Sequence, residues 1–328
     1  MSFTIGNINF EDKSLFLAPM EDVTDRTFRY ICKQYGADML YTEFVPSEAL
    51  VRNVKKTFTK LIIEQDERPV GIQIYGHNID VMVEAAKISE QFKPELIDIN
   101  FGCPVKKIAN RGAGSGMLKD IPKLIEMTKQ VVEAVACPVT VKTRLGWDEE
   151  TLVIDELALQ LQEVGIKALT IHGRTRCQLY TGCADWTLIG KVANNEHIKI
   201  PIIGNGDVTS PEIAKSYFEK YSVDAIMIGR AAIGKPWIFK QIKHYLNTGE
   251  LLPEPVISER VAISKEHFAK SMEIKGEYGG IIEMRRHFAL YFKGLPDFKE
   301  LRLKLLTSKD PNEIFQILAD IENIYNGF

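Results

Sequence analysis

Residues 225–230 read Ala-Ile-Met-Ile-Gly-Arg, and the four apolar side chains in succession decide the fold class. A strand with one wet face alternates apolar and polar positions. A strand that is apolar at every position is buried on both faces, as in a parallel sheet flanked by helices. Short apolar segments of strand length also occur at 15–18, 39–42, 70–74, 96–100, 139–143, 168–172 and 201–204. Amphipathic stretches such as 80–92, 121–135, 151–164 and 211–217 lie between them. Eight strand-then-helix units predict a (β/α)8 TIM barrel, a fold of typically about 250 residues. An open doubly wound sheet is the rival, but no G-x-G-x-x-G follows the first strand.

The pattern changes after Tyr245. Leu251-Leu-Pro-Glu-Pro255 reads as a linker, and 258–274, 281–293, 297–306 and 311–325 read as amphipathic helices with no strand between them. The expected organisation is a barrel over 1–245 and an all-helical domain over 246–328.

Composition excludes several classes. The chain has 328 residues, 45% of them hydrophobic and 26% charged, as in ordinary globular proteins. No apolar run approaches the ~18 residues that a membrane span needs. Residues 1–10 lack a basic segment followed by an apolar one, so no secretory signal is expected. The five cysteines form no C-x-x-C pair, which argues against a disulfide framework or zinc site and for a cytoplasmic protein without a metal. The formal charge of −3 means that any nucleic-acid partner must meet a local basic patch.

In a barrel the chemistry sits at the C-terminal strand ends. The first strand ends in Ala18-Pro19-Met20, the third carries Gln73, and the fourth ends in Asn100 and then Cys103. The fifth carries Lys142 and Arg144, and the sixth ends in His172-Gly-Arg174. The seventh ends in Gly204-Asn205-Gly206-Asp207 and the eighth in Gly229-Arg230. A lysine within Val139-Thr-Val-Lys142 is costly to bury unpaired, so it is expected to meet an anion. Glycine turns after the last two strands are a frequent phosphate site, with Arg230 able to pair with the phosphate. Cys103 is held extended by Pro104. Cys137 also precedes a proline but enters the fifth strand, at the face that serves stability.

Together these motifs resemble the tRNA-dihydrouridine synthases, most closely the bacterial B-type branch. The resemblance rests on Leu17-Ala-Pro-Met20 with Val23-Thr-Asp-Arg26, Asp98-Ile-Asn-Phe-Gly-Cys-Pro104 with Lys106-Lys107, and Arg111-Gly-Ala-Gly-Ser115. It continues through Val141-Lys-Thr-Arg144, His172-Gly-Arg-Thr-Arg176, Gly204-Asn-Gly-Asp207 and Ile228-Gly-Arg-Ala231. It implies flavin mononucleotide (FMN) in the barrel mouth, reduced by NADPH, and a tRNA substrate whose uridine is reduced across C5–C6. Pro19 and Met20 would line the flavin, Gln73 and Lys142 would bind its ring, and Asn100 and His172 would sit in the ring pocket. Asn205, Gly206, Asp207, Gly229 and Arg230 would hold its phosphate end, and Cys103 would donate the proton. The uridine must be extruded from the folded RNA to reach such a pocket.

Lys106, Lys107, Arg144, Arg174 and Arg176 follow strand ends on one face, and Arg285, Arg286 and Lys293 lie in a basic early tail that also holds Lys299, Arg302, Lys304 and Lys309. Both patches are expected to contact RNA phosphates. No membrane, metal or obligate protein partner is expected. Glu21-Asp22 stand where many family members carry small residues. Two other readings are a dihydroorotate dehydrogenase-like barrel acting on a free pyrimidine, and a redox-inactive RNA-binding barrel. The basic helical tail argues against the first, and Cys103, Lys142 and His172 argue against the second.

Overall fold

The computed structural model describes residues 2–326. The barrel strands are β3 (Ser14–Leu17), β4 (Leu40–Tyr41), β6 (Val70–Tyr75), β7 (Leu96–Phe101), β8 (Val139–Arg144), β9 (Leu169–His172), β10 (Ile202–Asn205) and β11 (Ala225–Ile228). They pair in parallel in the order β3-β11-β10-β9-β8-β7-β6-β4. A parallel bridge from Phe16 to Met39, with Leu17 N–H donating to Met39 O at 2.9 Å, joins β3 to β4. The result is the (β/α)8 barrel read from the sequence.

The consecutive apolar positions resolve into two cores. Ile226 and Ile228 face the surrounding helices, together with Leu15, Leu17 and Ile202. Ala225 and Met227 belong to a separate cluster with Phe16, Ala18, Tyr41 and Ile203. Successive side chains on a strand point to opposite faces, so a barrel strand needs apolar residues on both.

Three features were not read from the sequence. An antiparallel hairpin of β1 (Phe3–Ile5) and β2 (Ile8–Phe10) packs on the inner cluster, with the Phe10 and Phe16 rings 5.0 Å apart. The second barrel strand is split, since both β4 and β5 (Val45–Pro46) pair with β6. The region 26–59 also holds three helices, α1 (Arg26–Gln34), α2 (Ser47–Val51) and α3 (Lys55–Thr59).

The remaining barrel helices are α4 (Ile79–Glu90), α5 (Lys106–Ala109), α6 (Ile121–Ala134), α7 (Ile154–Glu163), α8 (Trp186–Ala193), α9 (Pro211–Tyr221) and α10 (Ile238–Thr248). Asn78, Asp120 and Ser210 accept backbone N–H bonds at the starts of α4, α6 and α9, the usual means of satisfying a helix's free donors.

The tail comprises α11 (Ile257–Tyr291), α12 (Lys299–Thr307) and α13 (Pro311–Ile324). The two helices expected over 258–274 and 281–293 are present within this span and follow one another directly, with a kink at Gly276 (φ 74°) between them. Gly279 and Gly280, just beyond the kink, stay helical. Val261, Phe268, Phe288, Tyr291, Ile317 and Leu318 of the tail share a core with Ile31 of α1 and Trp237. Among the described residues no helix is long and apolar enough to cross a membrane.

Polar groups are sealed into this seam. Asp25 caps α1, accepting from Phe28 N–H at 2.9 Å and from Thr27 Oγ1 at 2.8 Å, and pairs with Lys275 of α11. His267 has Nε2 3.3 Å from Thr27 Oγ1 and Nδ1 3.0 Å from Tyr291 Oη. His287 is fully buried beside Phe28 and His267, and neither of its ring nitrogens has a hydrogen-bond partner among the described residues.

Candidate active site

The C-terminal strand ends surround a cavity of about 720 Å³. Pro19, Met20, Gln73, Asn100, Cys103, Lys142, Arg144, His172, Asn205, Gly206, Asp207, Gly229 and Arg230 all line it. The structure thus gathers at one place every residue that the sequence assigns to catalysis or a cofactor.

The thiol is set by a relay of oriented amides. Asn100 Oδ1 accepts the N–H groups of Gly102 (2.9 Å) and Cys103 (2.8 Å). That fixes which way the Asn100 amide points, so its Nδ2 donates to Gln73 Oε1 at 2.7 Å. Gln73 Nε2 in turn donates to Asp98 Oδ2 at 2.6 Å, and Thr140 Oγ1 donates to Asp98 Oδ1 at 2.5 Å. Asp98 is fully buried, and desolvation pushes its carboxyl up to about 6 against the opposing pull of Gln73, Thr140 and Lys142. From the other side, Ser115 Oγ and N–H both donate to Cys103 O, at 2.8 and 3.1 Å. Gly114, at φ +54°, lets that loop close in, since a Cβ there would stand 3.0 Å from Cys103 O.

Burial raises the Cys103 thiol above its ordinary value, against the lowering pull of the Val105 backbone N–H and Arg144. It is therefore a thiol at neutral pH, a proton source rather than a standing nucleophile. Cys137, before β8 at the other end, is pushed up to about 12 by burial and Glu90 and is outside the cavity lining. Cys32 is buried in α1, while Cys177 and Cys183 are exposed.

Lys142 is half-buried, and its Nζ donates to Asn205 Oδ1 at 3.1 Å. Asn205 is held in turn by Nδ2 donating to Met227 O at 2.7 Å. Desolvation, aided by Arg144, lowers the ammonium to about 8. No carboxylate among the described residues lies within ion-pair distance of it. His172 is held well below its ordinary value by burial and then by Arg144, Lys142, Arg174 and Arg230, so its ring is neutral. Arg174 Nη1 lies 3.3 Å from His172 Nε2, and an arginine can only donate. The imidazole proton therefore belongs on Nδ1, which has no acceptor among the described residues.

Around the glycine turns, the N–H groups of Arg230 and Ala231 have no acceptor among the described residues. Gly206, at φ +126°, brings its backbone against the ring of His172, where a Cβ would stand 3.1 Å from Cδ2. The Asp207 carboxylate is occupied: it accepts from Arg174 (3.0 and 2.6 Å), Ala184 N–H (2.8 Å) and Arg230 (3.3 Å). Burial opposes its ionisation, but these donors outweigh burial and lower it.

The structure departs from the expectation that Arg144 and Arg174 reach RNA phosphates. Both are 1% exposed. Arg144 donates to Gly102 O (2.8 Å), Thr175 O (2.9 Å) and Leu179 O (2.8 Å). Arg174 donates to Thr181 O (3.1 Å) and Gly182 O (2.6 Å) besides Asp207. A guanidinium has five donors in a rigid plane, and here they brace the loop after β9. That loop presents Tyr180, half-exposed at the mouth with its ring 4.8 Å from the Arg230 guanidinium. Lys106 and Lys107 are exposed beside Cys103, and Arg176 is half-buried over the Trp147 ring at 4.5 Å. In the tail, Lys293 is exposed, Arg285 is half-buried, and Arg286 donates to Asp22 O at the barrel rim.

Lys60 offsets part of the charge that Glu21, Asp22 and Glu43 bring together. Lys60 Nζ lies 2.7 Å from Glu21 and 3.0 Å from Glu43, while Asp22 N–H donates to Glu43 at 2.7 Å. Sequence reasoning missed Asp98, Ser115 and Tyr180 as parts of the site. Asp98 carried a signal of its own, as a lone charge inside the apolar run Leu96-Ile-Asp-Ile99, whereas Ser115 stood only at the end of the motif Arg111-Gly-Ala-Gly-Ser115.

A model of the dihydrouridine synthase family matches residues 16–325. A probable tRNA-dihydrouridine synthase of Rickettsia bellii is 41% identical over 308 residues, covering 94% of each chain. The tRNA-dihydrouridine synthase B of Pseudomonas putida is 41% identical over 297 residues, 90% of this chain and 88% of that one. Among solved structures, histamine dehydrogenase from Rhizobium sp. 4-9 superposes with a TM-score of 0.56 at 12% identity. That match covers 98% of this chain, which spans 64% of the other, and at this identity it bears on the fold alone.

Proposed function

The chain belongs to the dihydrouridine synthase family, an oxidoreductase family acting on a CH–CH bond, and on that premise we propose that it reduces uridines of tRNA to 5,6-dihydrouridine, with FMN in the barrel cavity and NADPH as reductant. One observation carries the reading: a protonated thiol, Cys103, and a lysine without a carboxylate partner among the described residues, Lys142, line the same cavity.

Three features favour a flavin there. Lys142 offers an ammonium to an anionic ring edge, His172 offers an Nδ1–H, and the free amides of Arg230 and Ala231 suit a phosphate. Pro19 and Met20 supply apolar wall. When bound, the reduced flavin supplies a hydride to C6 of the uracil ring. Cys103 then gives its proton to C5, where negative charge develops, and the Asn100–Gln73–Asp98 relay holds the thiol's backbone still for that transfer. Lys142 stays largely protonated at neutral pH and favours the anion that accumulates beside it. Asp207 acts through Arg174 and Arg230, positioning both and leaving the amides to meet the phosphate. Lys106, Lys107 and Arg176 at the mouth, with Arg285, Arg286 and Lys293 in the 246–328 tail, make up the RNA-facing cations.

The test is dihydrouridine measured by mass spectrometry after incubating the flavin-loaded protein with NADPH and an unmodified tRNA transcript. Dihydrouridine in the intact transcript is expected. Reduction of free pyrimidines alone would replace this reading with the free-substrate one, and a protein unable to hold FMN would overturn both.

A further inference from the structure

We propose that the groove between the end of α11 and the start of α12 is a second nucleotide site, taking an unpaired base of the RNA substrate with its phosphates on Lys293, Lys299 and Arg302. The proposal rests on the tRNA reading above and adds a contact away from the catalytic cavity. The groove encloses about 350 Å³, at the lower end of the ~300–1,000 Å³ range of small-ligand sites. Its walls include Leu290, Leu295 and Phe298, with Leu290 37% exposed. A planar apolar ring suits such a floor.

The charge identifies the occupant. Among the described residues, Lys293, Lys299 and Arg302 are the only charged ones lining the groove, and all three are exposed. None pairs with a described carboxylate, whereas Lys191, Lys215 and Lys235 elsewhere on the surface pair with Asp155, Glu219 and Glu254. Unpaired cations over an apolar cleft match an aromatic ring carrying phosphate, the combination by which single-stranded nucleic acid is held.

The groove also adjoins the mouth of the barrel. A Cβ on Gly234 would stand 2.5 Å from Leu290 Cβ, so the end of α11 rests on the loop that begins at Arg230. Arg286, one turn earlier on the same helix, donates to Asp22 O, next to cavity-lining Glu21. An RNA strand with its uridine in the cavity therefore has neighbouring nucleotides close to the groove.

The experiment uses full-length flavin-loaded protein and a tRNA transcript, with Kd followed by fluorescence anisotropy over a salt series. Ala289→Trp fills the groove without changing charge, and it should weaken binding about tenfold with an unchanged salt slope. Lys299→Glu with Arg302→Glu should weaken binding at least tenfold and lower the slope of log Kd against log salt by about 2. The flavin absorption spectrum monitors folding of each variant. Ultraviolet crosslinking of the wild type, independent of any substitution, should attach a nucleotide within 289–302. Loss of affinity in the charge variant alone, with no crosslink there, would mean phosphate contact only and would overturn the base site. Unchanged affinity in both variants would overturn it entirely. If the variants bind more weakly but the wild type makes no dihydrouridine, the groove stands and the proposed reaction fails.

Discussion

The protein buries two clusters of titratable side chains, one under the barrel cavity and one in the seam between barrel and tail. Both contain histidine held neutral by burial: His172 in the first, His267 and His287 in the second. Both contain a buried aspartate, Asp98 and Asp25. They differ in which atoms are left open. Around the cavity, Lys142 Nζ and the thiol of Cys103 retain capacity toward a space large enough for a ligand. In the seam the nitrogens of His287, without a partner among the described residues, lie among the rings of Phe28 and His267. A perturbed ionisable group thus marks chemistry only where it also borders accessible volume; elsewhere it holds stability hostage to pH.

Four substitutions or conditions would break or sharpen that contrast. The largest effect should come from Cys103→Ala, with tRNA turnover falling about 10²–10⁴-fold. Reduction by NADPH should continue and the melting temperature should stay close to wild type; full turnover would end the acid role of Cys103. In the seam the pattern should invert. Asp25→Ala removes the α1 cap and strands Lys275 beside a lost partner, costing about 3 kcal/mol in denaturant unfolding with the chemistry intact in folded molecules. A loss below about 1 kcal/mol would show that Lys275 leans on Glu283, 3.2 Å away, instead.

The pH dependence should come next. A histidine whose folded value lies below its unfolded value of about 6.5 stabilises the fold above 6.5, and that share is lost as pH falls. His267 is lowered to about 4, so its contribution should disappear between about pH 6.5 and 4. Asp25, lowered to about 2 by the Lys275 ion pair against the cost of burial, should lose its contribution below that window, from about 3.9 downward. Urea midpoints that stay flat from pH 7 to 4 would contradict the neutral, buried histidines. The smallest effect belongs to Ser115→Ala. Losing its hydroxyl bond to Cys103 O should cost about 1 kcal/mol and a few-fold in turnover, since the Ser115 N–H bond to the same oxygen remains.

The barrel was legible because its signal is local. Each strand announces itself within about six residues, and strand ends converge by construction, so Gln73, Asn100, Cys103, Lys142 and His172 could be placed together without a single contact being known. The seam was not legible because its partners are far apart in the chain: Thr27 and His267 are separated by 240 positions. The burial of Arg144 and Arg174 was hidden for a related reason. A cation after a strand end looks solvent-facing, and only the path of the loop after β9 reveals the carbonyls that take up its donors. The hairpin of β1 and β2 escaped because three-residue strands are too short for periodicity to register.

Arg144 grows from β8, yet one flat group of atoms fastens the turn that carries Cys103 and two points of the loop that carries Tyr180. Those carbonyls are spaced by the lengths of their loops. An added or deleted residue between Thr175 and Leu179 would slide one of them off its donor, and a lysine in place of Arg144 has a single nitrogen with which to replace three bonds. A change in the length of this loop would therefore be felt one strand away, at the thiol.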